Sequence, residues 1–488
     1  MFVRIFFLFA LLASGLAATE RPNILFCMAD DWGWPHAGVY GDKAISTPSF
    51  DRIAKEGALF HHTYVSSPSC TPSRNAVITG KYHWQLGPGA NLWSTLPVEE
   101  ESYIHLLADS GYVIGQNRAK TWGPGSIKDW KEHHGEAPAG PTFKTIADFL
   151  DQTDTKDKPF FFWLASHDPH RGYKKDTGKD SGIDLSKVHL FGHYPDNEVV
   201  RGDVADYYFA VQRWDRLVGS ALEELEKRGL LDNTIIIVTG DHGMPFPRCK
   251  GNLYDSGTRV PFAVRWPKGI KGGREVEDFV SFTGVAPTLL ELCGVEVPAE
   301  MTGQSFVSLL KSEKSGLLEP DKRLDIVFGR ERHAPAQEKP NMGGYPSRAI
   351  RTRDFLYIHN YQPDWWPAGT GDTEKSNGPG RTYADCDGGP TKNDIIENRD
   401  KDEAHKRAFA LCFGKRPEHE LYDLSKDPEQ LHNVADDPAY QQKLGELQQR
   451  LEQRLTELKD PRVKNPKTLE FDGHPFLGGG FGAPRVGN

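Results

Sequence analysis

Four short, mainly apolar runs, each followed at once by polar or charged residues, constrain the fold of this chain most strongly. They are residues 24–28 (ILFCM), 112–115 (YVIG), 159–165 (PFFFWLA) and 235–238 (IIIV). Unbroken apolar runs of this length are typical of strands that are buried on both faces of a sheet. Amphipathic helical patterns lie between them, the longest over residues 203–228. This alternation predicts an α/β sandwich.

Charged side chains follow the first and last of these strands. Asp30 and Asp31 come after the first run, and Asp241 and His242 come after the last. Ligands of α/β sheets bind at the carboxyl ends of strands, where two adjacent carboxylates are costly without a cation. A solvated turn is the alternative for the Asp pair, but the buried strand before it favours a metal site. Asp241 offers the oxygen that a hard cation prefers, whereas imidazole is a less usual ligand of such a cation.

Residues 66–83 (SSPSCTPSRNAVITGKYH) contain a second candidate site. The prolines at 68 and 72 indicate an extended entry that places Cys70 at the start of a helix. The N-terminus of a helix attracts anions because its N–H groups are unpaired and its dipole end is positive. Arg74 adds a planar cation suited to an oxyanion. The alternative interpretation is a Pro-flanked turn with an inert, buried cysteine.

The order Cys-x-Pro-Ser-Arg followed by Thr-Gly-Lys resembles the signature of the type I, formylglycine-dependent sulfatases. The segment HDPHR (167–171), Pro245-Phe246-Pro247 and Asn252-Leu253-Tyr254 are similar to the heparan N-sulfatase (sulfamidase) branch of that family. The resemblance covers nearly the whole mature chain. It implies an alkaline-phosphatase-like sandwich with a central mixed, largely parallel sheet, plus a smaller C-terminal α+β subdomain.

The resemblance also implies the site residues. In that family the cysteine is converted to Cα-formylglycine (3-oxoalanine), whose hydrated aldehyde attacks sulfur, and Cys70 is the matching position. One Ca²⁺ is held by the positions that match Asp30, Asp31, Cys70, Asp241 and His242. The matching groups that act on the sulfate and the leaving group are Arg74, Lys120, His170 and Lys250.

Four positions depart from this pattern or extend it. Trp122 stands where the family has a catalytic His, and His83 or His134 could replace that group. His242 stands where many members have Asn. Arg332 and His333 follow a further expected strand at 325–329 and are candidates to bind substrate, with a solvated strand end as the alternative.

The expected function is hydrolysis of a sulfuric ester or sulfamate, releasing sulfate from a sulfated sugar of a polysaccharide or glycosaminoglycan. Two alternatives stay open: a phosphonate or phosphate ester hydrolase of the same superfamily, and a non-catalytic protein that binds sulfated glycans. The expected partners are the sulfated carbohydrate and a formylglycine-generating or other sulfatase-maturing enzyme. A net charge of −9 with scattered Lys and Arg argues against a nucleic-acid partner.

The chain organisation indicates export. Residues 1–18 show a secretory signal peptide pattern, and their apolar run is too short to span a membrane. An N-terminal catalytic domain over 19–345 is expected, then a C-terminal subdomain over 346–465 with an antiparallel sheet and a helix, then a Gly-rich tail over 466–488. Residues 348–358 alternate as in a half-exposed antiparallel strand. A periplasmic, secreted or lysosomal-type location would permit disulfides, and Cys386 could pair with Cys412.

Overall fold

Two β-sheets organise the molecule, seen here in a computed structural model that describes residues 21–118, 130–378 and 381–479. The larger sheet consists of β1 (Asn23–Ala29), β2 (Ala58–Tyr64), β3 (Val113–Gln116), β4 (Phe160–Ala165), β5 (Thr234–Gly240), β6 (Phe262–Arg265) and β7 (Arg274–Ser281). The smaller sheet consists of β8 (Asp325–Arg330), β9 (Ser347–Thr352), β10 (Phe355–Asn360) and β11 (His419–Asp423). The signal peptide predicted at 1–18 lies outside the described residues.

The larger sheet has the order β3-β4-β1-β5-β6-β2-β7. Only β6 runs antiparallel to its neighbours, whereas every other adjacent pair is parallel. β1 lies between β4 and β5, and all seven of its residues are buried. The four apolar runs of the sequence thus become the adjacent strands β3, β4, β1 and β5. The predicted largely parallel central sheet is confirmed.

Helices cover both faces of this sheet. The helices are α1 (Pro48–Glu56), α2 (Cys70–Thr79), α3 (Tyr103–Asp109), α4 (Ile146–Gln152), α5 (Thr177–Asp180), α6 (Glu198–Lys227), α7 (Asp255–Thr258), α8 (Val285–Leu292), α9 (Val307–Lys311), α10 (Pro390–Glu397), α11 (Glu403–Phe413) and α12 (Gln441–Glu457). Alternate residues of β1 enter two different cores: Leu25 and Cys27 pack in the core under α6, and Phe26 and Met28 pack in the core under α2, α3 and α8. This division makes the fold a sandwich, because a strand projects successive side chains to opposite faces.

The smaller sheet is antiparallel throughout, in the order β11-β10-β9-β8. The single strand expected over 348–358 is wrong in detail, because Arg353 and Asp354 form a turn that divides the segment into the hairpin β9-β10. The turn is fixed by the Leu424 N–H, which donates to the Asp354 carbonyl at 2.8 Å. The first strand, β8, precedes the boundary expected at residue 346.

Two further sequence expectations bear on the compartment. All six cysteines are free, so the Cys386–Cys412 pair that the sequence left open is not formed here. Among the described residues, no helix has the length and apolar character needed to cross a bilayer.

A buried ionic network ties the smaller sheet to the segment after α12. Glu331, which follows β8, accepts hydrogen bonds from Arg348 Nη2 at 2.7 Å and from Arg462 Nη2 at 2.6 Å. Arg348 also pairs with Asp460, and all four side chains are buried. Burial alone would raise the pKa of Glu331, but the two guanidinium groups outweigh burial and lower it. The network therefore needs an ionised Glu331.

We expect Glu331→Gln to lower the free energy of unfolding by about 3 kcal/mol, because it leaves the buried Arg462 without its anion and removes one of the two carboxylates paired with Arg348. Urea titration followed by circular dichroism measures the loss. A lowered pKa in the folded state contributes stability above the unfolded pKa, about 4.3 for Glu, and that contribution is lost as the pH falls toward the folded pKa. The difference between wild type and variant should therefore shrink on acidification.

The matched control is Glu457→Gln on the exposed face of α12, where the ion pair with Arg454 lies in solvent. Exposed pairs contribute about 1 kcal/mol at most. Equal losses for the two variants would contradict a structural role for the buried network.

Candidate active site

The register between β1 and β5 assembles the centre of the site. These strands run parallel, with Ala29 opposite Gly240, so both strands end at the same level of the sheet. Asp30 and Asp31 on one side and Asp241 and His242 on the other therefore become neighbours. The predicted cluster at the carboxyl edge of the sheet forms as the sequence indicates.

Two carboxylates in this cluster have no exposure to solvent. Asp31 has a left-handed backbone (φ 73°), and its N–H donates to Asp241 Oδ1 at 2.8 Å. Both side chains are fully buried. Burial raises the pKa of Asp31 well above its ordinary range, and the carboxylates of Asp30 and Asp241 raise it further, although Lys250 opposes them. Such a group needs a compensating cation to stay ionised.

His242 presents a lone pair to the same point. Its Nδ1 lies 3.0 Å from the Gly243 carbonyl, so we assign the proton to Nδ1. Nε2 then faces Asp31 Oδ1 at 3.2 Å and Cys70 Sγ at 3.2 Å. Burial lowers the pKa of His242 well below its ordinary value, which keeps the ring neutral. A lone pair aimed at a carboxylate oxygen is repulsive unless a cation lies between them.

The donor set fits a divalent cation. One possible ligand atom each from Asp31, Cys70, Asp241 and His242 lies within 4.8 Å of all the others. Asp30, the fifth predicted ligand, is outside that group and accepts from Arg74 Nη2 at 2.9 Å. Four carboxylates, those of Asp30, Asp31, Asp241 and Asp387, adjoin the two fixed cations Arg74 and Lys250. The excess of two negative charges equals the charge that a calcium ion would neutralise.

Cys70 is the first residue of α2, as the sequence predicts. The helix is anchored on the cluster, because Ser73 Oγ donates to the Asp241 carbonyl at 2.6 Å. Arg74, one helical turn after Cys70, donates from Nε to Asp241 Oδ2 at 3.0 Å. Burial raises the pKa of the Cys70 thiol well above its ordinary value, and this effect outweighs the influence of Lys250. The unmodified thiol would thus be a poor nucleophile, since the thiolate is the reactive form.

Lys250 and His170 complete the surroundings of residue 70. Lys250 Nζ lies 2.9 Å from Asp31 Oδ2 and 3.2 Å from Asp387 Oδ2. Burial would lower the pKa of Lys250, but the two carboxylates outweigh burial and raise it. His170 donates from Nδ1 to the Arg171 carbonyl at 2.6 Å, which leaves Nε2, 3.9 Å from Asp31 Oδ2, facing the site.

These groups line one pocket above residue 70. The predicted residues in its wall are Asp30, Cys70, Arg74, His170, Lys250 and His333. His333 is held by Ser69, whose Oγ lies 2.8 Å from His333 Nδ1. Burial lowers the pKa of His333 to about 4, so the ring is neutral near pH 7.

Other predicted groups are elsewhere. Arg332 does not line this pocket, and its guanidinium donates to the carbonyls of Asp472, His474 and Pro475. The role expected for Arg332 in direct contact with substrate has no support from this geometry, because both of its Nη groups donate to backbone carbonyls. Lys120 and Trp122 lie outside the described residues.

The two histidines offered as replacements for the missing catalytic His also lie away from the pocket. His83 is buried with Nδ1 at 2.9 Å from Ser66 Oγ. His134 Nε2 lies 2.8 Å from the Val98 carbonyl, on a different surface. Neither residue contributes to the wall above residue 70.

Sequence reasoning missed several residues in the pocket wall, among them Asp387, Trp93, Arg118 and Ser166. Asp387 comes from the C-terminal region, and the buried Lys250 beside it lowers its pKa. The sequence did contain a signal for Asp387. Its segment, residues 385–389 (DCDGG), has two carboxylates before a Gly pair, a composition typical of a turn. Trp93 lies in an irregular segment whose sequence has no signal of its own.

Comparison with known proteins agrees with this geometry. The family model described as "Sulfatase" matches residues 22–295, just over half of the chain. A second model, "N-sulphoglucosamine sulphohydrolase, C-terminal", matches residues 240–366.

Relatives and solved structures extend the match over most of the chain. An ulvan-active sulfatase of Formosa agariphila is 30% identical, over 88% of this chain and 79% of the relative. Human N-sulphoglucosamine sulphohydrolase is 29% identical, over 93% of this chain and 94% of its own length. A structure in complex with its substrate D-glucosamine-2-N,6-O-disulfate shares the fold, with a TM-score of 0.63, 21% identity, and coverage of 92% of this chain and 100% of that one. The alkaline-phosphatase-like architecture and the family expected from the motifs are both confirmed. The chain belongs to the sulfatase family.

Proposed function

We propose that this sulfatase releases sulfate from a sulfated sugar of a polysaccharide or glycosaminoglycan, attached as an ester or as a sulfamate. The observation that carries the proposal is the pocket itself. Residue 70, at the N-terminus of α2, lies between Arg74, Lys250 and a buried group of carboxylates with one neutral imidazole. An SO₃ group that is transferred from an oxygen or nitrogen of the substrate to a nucleophile is stabilised by positive charge arranged in this way.

The charges of the pocket select the sulfate end of a substrate. Arg74 and Lys250 are both buried, and a cation that is held away from water attracts an anion more strongly than an exposed one. The first-turn N–H groups of α2 add partial positive charge at residue 70. Lys120, which matches a sulfate-binding Lys of the family, would add a third cation.

Sulfatases generally use formylglycine and Ca²⁺. Asp31, Asp241 and His242 would hold the calcium ion together with residue 70, with the carboxylate of Asp30, which is bound to Arg74, beside them, and the ion would polarise the sulfate oxygens as a Lewis acid. Cys70 converted to formylglycine would supply, as the aldehyde hydrate, an oxygen nucleophile in place of the unreactive thiol. Conversion requires a formylglycine-generating or other sulfatase-maturing enzyme as a partner.

His170 is the group we propose for proton transfer to the leaving oxygen or nitrogen. Its Nδ1 proton is held by the Arg171 carbonyl, so proton exchange is confined to Nε2, the nitrogen that faces the site. A sugar hydroxyl is a poor leaving group, and protonation in the transition state makes its departure easier.

Three lines support the choice of sugar substrates. The relatives are described as acting on ulvan and on N-sulphoglucosamine. The neighbour with a bound substrate holds a glucosamine disulfate. The signal-like residues 1–18 would deliver the enzyme to a compartment where extracellular or lysosomal-type glycans are degraded.

We expect Cys70→Ala to abolish sulfate release while the chain stays folded, because it removes the nucleophile. Cys70→Ser should be equally inactive in a host whose maturing enzyme accepts only Cys. Sulfate release from sulfated oligosaccharides measures activity, and mass spectrometry of the peptide that contains residue 70 should show a species lighter than the cysteine form. Cys293→Ala, in the core remote from the pocket, is the control that should keep its activity. An active Cys70→Ala enzyme, or an unmodified thiol in active wild type, would refute the assignment.

We expect removal of divalent cations by a chelator to lower both the melting temperature and the activity, because the excess carboxylate charge in the buried cluster then has no counterion. Calcium added at 100 times its Kd should restore about 2.7 kcal/mol of stability. Differential scanning fluorimetry across a calcium titration gives the apparent Kd. His242→Ala should weaken that Kd at least tenfold.

Glu277→Gln is the control for the calcium experiment, because it disrupts the surface group of His61, Glu275 and Glu277, whose atoms also lie close together. Its calcium response should equal that of wild type. If Glu277→Gln abolished the response and His242→Ala preserved it, the calcium site would have to be moved to that surface.

We expect His170→Ala to lower kcat about 100-fold for a sulfated sugar and much less for 4-nitrophenyl sulfate, whose leaving group needs no proton. Steady-state kinetics on both substrates tests the prediction. His167→Ala removes a neighbouring ring, 4.9 Å away between centroids, and should change kcat by only a few-fold. Equal losses on the two substrates would exclude His170 as the proton donor.

A further inference from the structure

We propose that Trp93 is the platform on which the sugar ring of the substrate stacks, and this inference rests on the proposed function. Trp93 lies in the wall of the pocket above residue 70, yet 42% of its surface is exposed. Among the described residues, it is the one aromatic side chain in the set of exposed large hydrophobic residues. A large apolar surface left open inside a polar pocket is a place where a ligand is desolvated.

The backbone of Trp93 is held in a conformation that a bulky residue rarely adopts. Its φ is 52°, in the left-handed region. The Trp93 N–H donates to Thr71 Oγ1 at 3.3 Å, and its carbonyl accepts from the Leu477 N–H at 2.8 Å. Residues held in this way by their surroundings occur at ligand clamps, where the imposed geometry aims a side chain.

These hydrogen bonds connect Trp93 to the reacting centre. Thr71 follows Cys70 directly, so the backbone of Trp93 is bound to the residue next to the nucleophile, and all three residues line the same pocket. The neighbouring part of the wall is charged, and its cations Arg74 and Lys250 are suited to the sulfate end. A sugar ring attached to that sulfate has apolar C–H faces. These faces gain little from nearby charges, whereas they can pack against an aromatic ring.

Arg332 then has an indirect role that differs from the one expected from the sequence. Its guanidinium donates to the carbonyls of His474 at 2.8 Å and Asp472 at 3.1 Å. The chain continues from these residues to Leu477, which holds the Trp93 carbonyl. The Leu92 N–H also donates to the Arg332 carbonyl at 3.0 Å. Arg332 is thus hydrogen-bonded to the chain on both sides of the Trp93 segment.

The test compares Trp93→Ala with wild type on glucosamine 2-N,6-O-disulfate and on inorganic sulfate. Loss of stacking should raise KM for the sugar about tenfold and leave kcat within a factor of two, since the indole does not touch the reacting bond. Inorganic sulfate contacts the cations alone, so its inhibition constant should be unchanged. Trp93→Phe should recover most of the affinity.

Two further variants separate stacking from folding. Trp93→Gly suits the left-handed backbone, so it should be at least as stable as Trp93→Ala and show the same rise in KM. Leu217→Ala removes an exposed apolar side chain on α6 and should have wild-type kinetics. A KM that is unchanged in Trp93→Ala would overturn the proposal, and so would a parallel weakening of inorganic sulfate.

Calorimetric binding of the same disulfate distinguishes this proposal from the proposed function. If wild type binds the sugar through Trp93 but releases no sulfate from it, the platform stands and hydrolysis of this sugar fails. If wild type hydrolyses the sugar with a KM that is independent of Trp93, hydrolysis stands and the platform fails. If wild type neither binds nor hydrolyses the sugar, both fail.

Discussion

The crowding of like charges between β1 and β5 is the constraint on which the rest of the molecule depends. Two fully buried carboxylates, Asp31 and Asp241, have oxygens within 4.8 Å of each other because their strands run parallel and in register. Repulsion at this distance is large in a medium that excludes water. Arg74 and Lys250 offset part of it, and a divalent cation is the natural counterion for the remainder. The same positive groups that stabilise the cluster also line the pocket above residue 70.

The walls of the pocket come from parts of the chain that are far apart in sequence. The segment after β1 supplies Asp30 and the start of α2 supplies Cys70, whereas the segment after β8 supplies His333 and the C-terminal region supplies Asp387. The buried network around Glu331 and Arg348 holds the smaller sheet against the segment that follows α12. That segment in turn supports Trp93. The smaller sheet and the segments attached to it therefore help to form the pocket.

Local signals were sufficient for the predictions that succeeded. The apolar runs predicted buried parallel strands, because a strand that is covered on both faces carries apolar residues at successive positions instead of alternating apolar and polar ones. Pro72 and the helix-forming residues after it placed Cys70 at a helix start, where the structure has it. The hairpin at Arg353 and Asp354 was missed because alternation with a period of two continues through a two-residue turn, so the pattern does not mark the reversal. The sequence could not place the Arg332 side chain, because a cation after a strand gives the same pattern whether it faces a pocket or a backbone carbonyl.

The sequence by itself determined the α/β class, the family, and the residues at the carboxyl edge of the sheet, because each of these depends on neighbours within a few positions along the chain. Only the tertiary structure decided that Asp387 pairs with Lys250, that Arg332 supports the chain beside Trp93, and that Asp30 lies with Arg74 outside the four-atom ligand group. These contacts join segments that lie tens to hundreds of residues apart. Which of many similar polar side chains meet is set by how the two sheets pack, and the spacing of residues along the chain contains no record of that packing.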